Sequence, residues 1–230
     1  MTGASDKSLG YKALKHKIPV LLDREDVESV LPELLKHPPQ KLLGPLYISL
    51  LSHNKTVKWN AVTAVGQAVD ELARQDLEQA RIAMRRLIWT LNDESGGIGW
   101  GSPECMGEIM ACNPDLAREF HRILFSYLAP RDDSDSDNFL EYLPLRRGAF
   151  WGVARLAQKR PSIALEASPQ IQKALKQEND SEILALICLY LRLTHQDISP
   201  WPGSNLGDQK LKVYWNQRLQ TLPAQSLCQV

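Results

Sequence analysis

Three stretches decide the fold of this 230-residue chain: Val57-Lys-Trp-Asn-Ala-Val-Thr-Ala-Val-Gly66, Gly101-Ser-Pro-Glu-Cys-Met-Gly-Glu-Ile-Met110 and Leu145-Arg-Arg-Gly-Ala-Phe-Trp-Gly-Val-Ala154. Each has apolar residues at helical spacing, and each superimposes on the next when the numbering is shifted by 44. At that offset small residues coincide at Ala61, Cys105 and Ala149. The sequence therefore predicts an internal repeat of helices, with small residues where neighbouring helices approach closely.

Helical periodicity continues along the chain on both sides of these stretches. Asp23 to Asp26 supplies an acidic cap and first turn for a helix that ends at His37-Pro-Pro39. Each of the three stretches is preceded by another helix of similar length, and strand signals are nearly absent, so no sheet is expected. Helices are predicted at about 27–35, 40–51, 56–73, 76–91, 103–112, 115–129, 139–159, 169–177, 181–194 and, as a last helix, 208–219.

A period of about 40–47 residues made of two helices resembles HEAT-like (armadillo-type) repeats, over roughly residues 40–194. The resemblance implies an all-α fold, an α-α superhelix (solenoid) of about four helix pairs with N- and C-terminal capping helices. Pairs stack because a lone helix pair cannot cover its own apolar face. We expect one domain over residues 1–230, with tails at 1–10 and 220–230. A helical bundle without repeat order is the alternative.

The composition limits the class of partner. Lysine plus arginine number 27 and aspartate plus glutamate number 27, so the formal net charge is zero. Proteins that wrap nucleic acid usually carry a basic surplus, so a protein or peptide partner is expected and nucleic acid is not. No apolar run approaches the roughly 20 residues that span a bilayer, and the polar start lacks the apolar stretch of a secretory signal. We therefore expect a cytoplasmic protein without a membrane segment.

The offset also predicts a binding strip. In HEAT-like proteins the second helix of each pair lines the inner, concave surface, and arginine and aromatic side chains are the usual anchors of a binding surface. The resemblance thus implies that the first turns of three second helices lie side by side there. Alternatively, Trp59 and Trp151 fill the core between repeats and the charged residues are solvated. The partner-binding strip comprises Lys58, Trp59, Asn60, Trp100, Glu104, Arg146, Arg147 and Trp151.

Signs of catalytic or metal chemistry are sparse. Four cysteines form no CxxC pair and five histidines are scattered, so no metal and no cofactor is expected. Glu104 and Glu108 share a helix face and could serve acid–base chemistry if buried, although exposed helices often carry such pairs. The loop Gly96–Gly101 is interpreted as a turn that presents Trp100, and the acidic loop Arg131–Asn138 lacks the later positions of a calcium loop. Because each loop joins a first helix to its second helix, both are expected at one edge of the solenoid.

Two hypotheses of function follow, and neither has an assigned catalytic residue. The leading one is a scaffold or adaptor that binds a protein or peptide partner in the concave groove. The alternative is a repair enzyme resembling the alkylpurine DNA glycosylases of HEAT-like fold, which line a concave surface with tryptophans, arginines and an acidic residue. The comparable residues here are Trp59, Trp100, Trp151, Arg146, Arg147 and Glu104.

Overall fold

The computed structural model of the protein describes residues 10–92, 99–130, 138–199, 206 and 209–227. A 3-10 turn over Leu165–Ala167 joins the helix Pro161–Ala164 to the helix Ser168–Leu175. The expectation that the loops 96–101 and 131–138 share one edge falls mainly on residues outside the described ranges. The helices are α1 Tyr11–Leu22, α2 Val27–Leu34, α3 Pro39–Ser49, α4 Lys55–Gln75, α5 Leu77–Asn92, α6 Ser102–Cys112, α7 Pro114–Ser126, α8 Leu143–Lys159, α9 Pro161–Ala164, α10 Ser168–Leu175, α11 Ser181–Leu193 and α12 Ala224–Leu227.

Local sequence sets where the helices begin. Asp26, Asn54 and Asp180 each accept a hydrogen bond from a backbone amide in the first turn of α2, α4 and α11 respectively. These bonds satisfy donors that have no partner within the helix. Proline stands in the first turn of α3, α6, α7, α8 and α10, where its missing N–H costs nothing. The helices predicted from α2 to α8, and α10 and α11, are confirmed to within a few residues at their ends.

The two helices of each predicted pair are in contact: α3 with α4, α5 with α6, α7 with α8, and α10 with α11. The second helices of these pairs form a continuous row, because α4 packs on α6, α6 on α8 and α8 on α11. At the N-terminal end, α1 packs on α3 and α2 packs on α4. The protein is therefore an all-α solenoid of stacked helices, as predicted.

Contacts between neighbouring second helices join residues about one repeat apart. The Asn113 amide donates to Asp70 across 43 positions, and Gln67 donates to Cys112 across 45 positions. The repeat's small residues, Ala61, Cys105 and Ala149, are all fully buried on α4, α6 and α8. Side chains therefore meet at nearly the separation that the sequence offset of 44 predicts.

Glycine allows the closest of these approaches. Gly107 on α6 faces Gly152 on α8, and a Cβ added to Gly107 would lie 2.2 Å from the Gly152 Cα. Any side chain at either position would push the two helix backbones apart. Every residue from Ser102 to Ala111 is buried, so α6 is the central helix of the solenoid.

The C-terminal part of the chain corrects the prediction of a helix near 208–219. Instead, β1 Lys210–Trp215 and β2 Arg218–Pro223 form an antiparallel hairpin, so the expectation of no sheet is also wrong. Asn216 and Gln217 both have positive φ, as a two-residue type I′ hairpin turn requires. β2 and α12 occupy 218–227, where a tail from 220 was expected, and α12 buries Ala224 and Leu227.

Helix α1 is the longest helix that was not predicted from the sequence. Its buried residues Leu14, Ile18, Leu21 and Leu22 have regular helical spacing, although Pro19 lies inside the helix. Together with α2, it covers the N-terminal end of the stack, where the resemblance implied a capping helix. None of the described helices is both long and apolar enough to cross a membrane.

Candidate functional site

We call the side of the α4, α6, α8 and α11 row that carries Trp59 and Trp151 the second-helix face. The hairpin covers the middle of this face. The ring of Tyr214 on β1 stacks on Trp59 of α4, with ring centroids 5.2 Å apart and planes 4° from parallel. Trp59 also contacts Trp151 of α8 at 4.9 Å between centroids. The two predicted tryptophans therefore pack beneath the chain's own strand.

Hydrogen bonds fix β1 in this position. The indole Nε1 of Trp151 donates to the backbone carbonyl oxygen of Tyr214 at 2.6 Å. The Tyr214 hydroxyl lies 2.8 Å from Thr63 Oγ1 and donates more weakly to Asn60 Oδ1 at 3.4 Å. Burial raises the pKa of the Tyr214 hydroxyl. An extended main chain is thus held on the second-helix face by side chains of both α4 and α8.

Asn60, another residue of the predicted strip, has a structural role. Its Nδ2 donates to the carbonyl oxygens of Leu22 and Arg24 at 2.9 and 2.7 Å. These bonds tie the end of α1 and the turn before α2 to α4. The side chain is buried, so only a small part of it borders the open surface.

The carboxylates of Glu104 and Glu108 on α6 are buried, and each is paired with a basic side chain from a neighbouring second helix. Lys58 Nζ of α4 lies 3.2 Å from Glu104 Oε1, while Arg155 of α8 binds both oxygens of Glu108. Among the described residues, the other oxygen of Glu104 finds no hydrogen-bond partner, and it lies against the Cα side of Gly148. Both carboxylates therefore contribute to the packing of α6 between its neighbours.

Arg147, at the start of α8, connects that helix to the start of α11. Its guanidinium donates to both oxygens of Asp180 at 3.0 and 2.6 Å, and it lies 3.3 Å from Glu182. Hydrogen bonding to Asp180 raises the pKa of the guanidinium, and burial raises the pKa of the Glu182 carboxyl. Two carboxylates thus share one arginine, so Arg147 adds no unbalanced positive charge to the face.

Arg146 is directed into the fold beside this cluster. It donates to Glu178 at 3.1 Å and to the carbonyl oxygens of Leu140 and Glu141, and its guanidinium lies over the Phe139 ring. These contacts fix the segment that leads into α8. Arg146 therefore supports the loop more than it presents a free charge.

Trp100 is the predicted aromatic residue that the hairpin does not cover. It is half-buried just before α6, and its ring meets Tyr142 edge-on at 5.5 Å between centroids. Lys58 and Arg147 are also partly exposed, at 24% and 38% of their side chains. These three residues are the part of the predicted strip that solvent reaches best.

An open cleft lies between the hairpin and the starts of α2 and α4. Its volume is about 590 Å³, and we call it the β2 cleft. Glu25, Asp26 and Thr56 line its helical side, while Arg218 and Thr221 are among the residues that line its hairpin side. A second cavity of about 420 Å³ continues around the turn of the hairpin and shares Glu25, Asp26 and Arg218. This cleft was not predicted, because it depends on a hairpin that was expected to be a helix.

Within residues 10–92, 99–130, 138–199, 206 and 209–227, no group of three or more His, Cys, Asp or Glu side chains is placed to hold a metal ion. The contacts at the site are hydrogen bonds, ion pairs and contacts between aromatic rings.

No protein-family model matches the chain, and no curated protein matches it. Among solved structures it is similar to a designed armadillo repeat protein, at 18% identity and a TM-score of 0.46, with 86% of this chain and 81% of that chain covered. It is also similar to computationally designed armadillo repeat proteins for modular peptide recognition, at 18% identity and a TM-score of 0.44, with 79% and 74% covered. By the packing of its own helices, the chain is an all-α protein of stacked helices with a small C-terminal hairpin.

Proposed function

We propose that the protein is a non-enzymatic scaffold that binds an extended segment of a partner protein on its second-helix face. The observation that carries this proposal is the seating of β1. Trp59 stacks on the Tyr214 side chain, and Trp151 donates to the Tyr214 main chain. A surface that binds both the backbone and a side chain of an extended strand has the chemistry needed to bind a partner's strand.

The charges of the face favour a protein partner over nucleic acid. Lys58, Arg147 and Arg155 are each paired with a carboxylate of the same face. Binding to a nucleic-acid duplex draws most of its affinity from lysine and arginine side chains that neutralise phosphates. Side chains that are already paired with a carboxylate contribute little to that neutralisation. The ion pairing therefore gives no support to the glycosylase alternative. The proposal includes a cytoplasmic location, which imaging of a tagged chain would check.

Partner capture with two matched tryptophan variants tests the proposal. The immobilised chain captures its partner from an extract of the source cells, and the identified partner is purified and titrated. Trp100→Ala should weaken binding about 30-fold, since truncating an aromatic anchor costs roughly 2 kcal/mol. The control is Trp89→Ala, because Trp89 is 65% exposed on α5, a first helix.

The variants must retain the wild-type melting temperature for the affinities to be comparable. Equal affinity of the Trp100→Ala variant and the wild type, together with a loss for the Trp89→Ala variant, would place the binding surface on the first helices. That result would refute the proposal.

A further inference from the structure

The outer edge of β2 has backbone groups available for another strand. The two-residue turn makes Trp215 and Arg218 a hydrogen-bonded pair, and such pairs alternate along an antiparallel hairpin. Leu219 and Thr221 occupy the non-hydrogen-bonded pairs between these, so their N–H and C=O groups point away from β1. Pro223 occupies the next such position, where its missing N–H removes no bond from the ladder.

Two observations support this assignment of the edges. On β1 the carbonyl of Tyr214, which pairs with Leu219, also points outward and accepts the bond from Trp151. Beyond the hairpin, Ala224 N donates to Gln209 O, which continues the same alternation. In the part of the chain that the structure describes, no hydrogen bond outside the hairpin reaches the main chain of Leu219 or Thr221. β1 is therefore held at its outer edge and β2 is open.

The open edge borders the β2 cleft. Leu219 and Thr221 both line this cavity, whose volume of about 590 Å³ is within the range of peptide and small-ligand sites. Lys212 and Arg218 line the hairpin side of the same cavity, so its acidic residues are confined to the α2 side. Its opposite wall is the start of α2, where Glu25 and Asp26 are exposed. Glu28 follows them in the adjoining cavity, and among the described residues none of these three carboxylates forms an ion pair. An added strand would lie between β2 and this acidic wall.

We infer that β2 accepts an extended segment of the partner as a third strand, and that this segment carries lysine or arginine toward Glu25 and Glu28. Addition of a strand to an exposed edge obtains affinity from main-chain hydrogen bonds and specificity from alternate side chains. Here Leu219 and Thr221 supply the main-chain bonds, and the α2 wall selects basic side chains. The inference rests on the proposed function, since it names how and with what chemistry the partner binds.

A phage-displayed library of random eight-residue peptides, selected on the whole protein, is the probe. The selected peptides should be enriched in lysine or arginine among β-branched residues. As synthetic peptides, they should bind the Thr221→Pro variant at least about tenfold more weakly, because proline removes the outward N–H and adds a ring at the edge. Thr221→Val is the matched control, since it keeps both the N–H and the branched shape, and its affinity should equal that of the wild type.

A second pair of variants covers the possibility that Thr221→Pro disturbs the hairpin. Glu25→Lys should also weaken the selected peptides about tenfold, while Glu141→Lys, which changes an exposed carboxylate before α8, should not. Enrichment of acidic peptides, no enrichment at all, or binding that is indifferent to both Thr221→Pro and Glu25→Lys would overturn the inference. If those outcomes accompany partner capture that still depends on Trp100, the inference fails and the proposed function stands.

Discussion

Arg155 of α8 holds Glu108 of α6 in a two-point ion pair, with Nε 2.6 Å from Oε2 and Nη2 2.9 Å from Oε1. The side chains are only 11% and 2% exposed. Arg155 also donates to Gln158 on its own helix, which gives the guanidinium a third hydrogen bond. The pair joins two successive repeats across 47 positions of sequence.

Removing one partner of this pair should destabilise the fold strongly. Arg155→Met leaves the charge of Glu108 buried without a partner, and we expect a loss of about 3–5 kcal/mol in the free energy of unfolding. The double variant Glu108→Leu/Arg155→Met should recover most of that loss, because it leaves no buried charge. Urea denaturation of the three proteins measures both effects. A single variant within about 1 kcal/mol of the wild type would contradict this account.

The contact of Gly107 with Gly152 predicts a packing defect from one methyl group. Gly107→Ala would place its Cβ against the backbone of α8, so we expect α6 and α8 to separate and stability to fall by about 1–3 kcal/mol. The control is Gly10→Ala, because an added Cβ there meets nothing within 4 Å. Thermal unfolding compares the two variants with the wild type. Equal melting temperatures would show that α6 and α8 can separate without a measurable loss of stability.

Trp151 should control how firmly the hairpin is held. Trp151→Phe keeps an aromatic ring but leaves the Tyr214 carbonyl without its donor, which we expect to cost about 1–3 kcal/mol. Amide hydrogen exchange should accelerate in β1 and β2 more than in α4. Trp89→Phe, at an exposed position, is the control. Uniform acceleration along the whole chain would mean that the hairpin opens only with the solenoid.

Asp180 should make stability depend on pH in acid. Burial acts to raise the pKa of its carboxyl, but hydrogen bonds from Arg147 and the Ile183 amide outweigh burial and lower it. The unfolded chain therefore binds the proton more readily. The stabilisation from Asp180 is present above its unfolded pKa of about 3.9 and is lost as the pH falls through the lower folded pKa.

The variant Asp180→Asn checks this sign. Its free energy of unfolding should be lower than that of the wild type at neutral pH, and the two should converge as the pH falls through the folded pKa of Asp180 and the wild-type carboxyl protonates. Urea denaturation at several acid pH values gives the comparison. A difference that stays constant throughout the acid range would show that charge on Asp180 contributes nothing.

The sequence was sufficient to predict the repeat, because the repeat is a local property repeated at a fixed distance. Ala61, Cys105 and Ala149 are small since the neighbouring second helix packs there, and that requirement recurs in each repeat. Caps such as Asp26 and Asn54 are also local signals, which is why helix starts were predicted well.

The hairpin could not be recognised by the same means. Leu211 and Val213 do alternate with Lys210 and Lys212, but the alternation spans few residues and also fits a helix end. The turn Asn216-Gln217 lacks the glycine that usually marks a type I′ turn, although both residues adopt positive φ. Contacts with Trp59 and Trp151 stabilise β1, and no local pattern reports them.

The candidate site stays a prediction for a related reason. Residue type and repeat register indicated Lys58, Trp100 and Arg147, and the structure shows only that these side chains are partly exposed. Their partners Glu104 and Asp180 stand 46 and 33 positions away, so the ion pairing depends on tertiary packing. The β2 cleft depends on the hairpin, and it was missed with the hairpin.

The seating of β1 also has a consequence for the kinetics of folding. The bond between Thr63 and Tyr214 joins residues 151 positions apart, whereas the Asn113–Asp70 bond between α6 and α4 spans only 43. Contacts of short separation form sooner because closing a short loop costs less entropy. The helix pairs should therefore assemble one upon another before the hairpin closes over Trp59. In refolding, the fluorescence change of Trp59 should follow the recovery of helical circular dichroism.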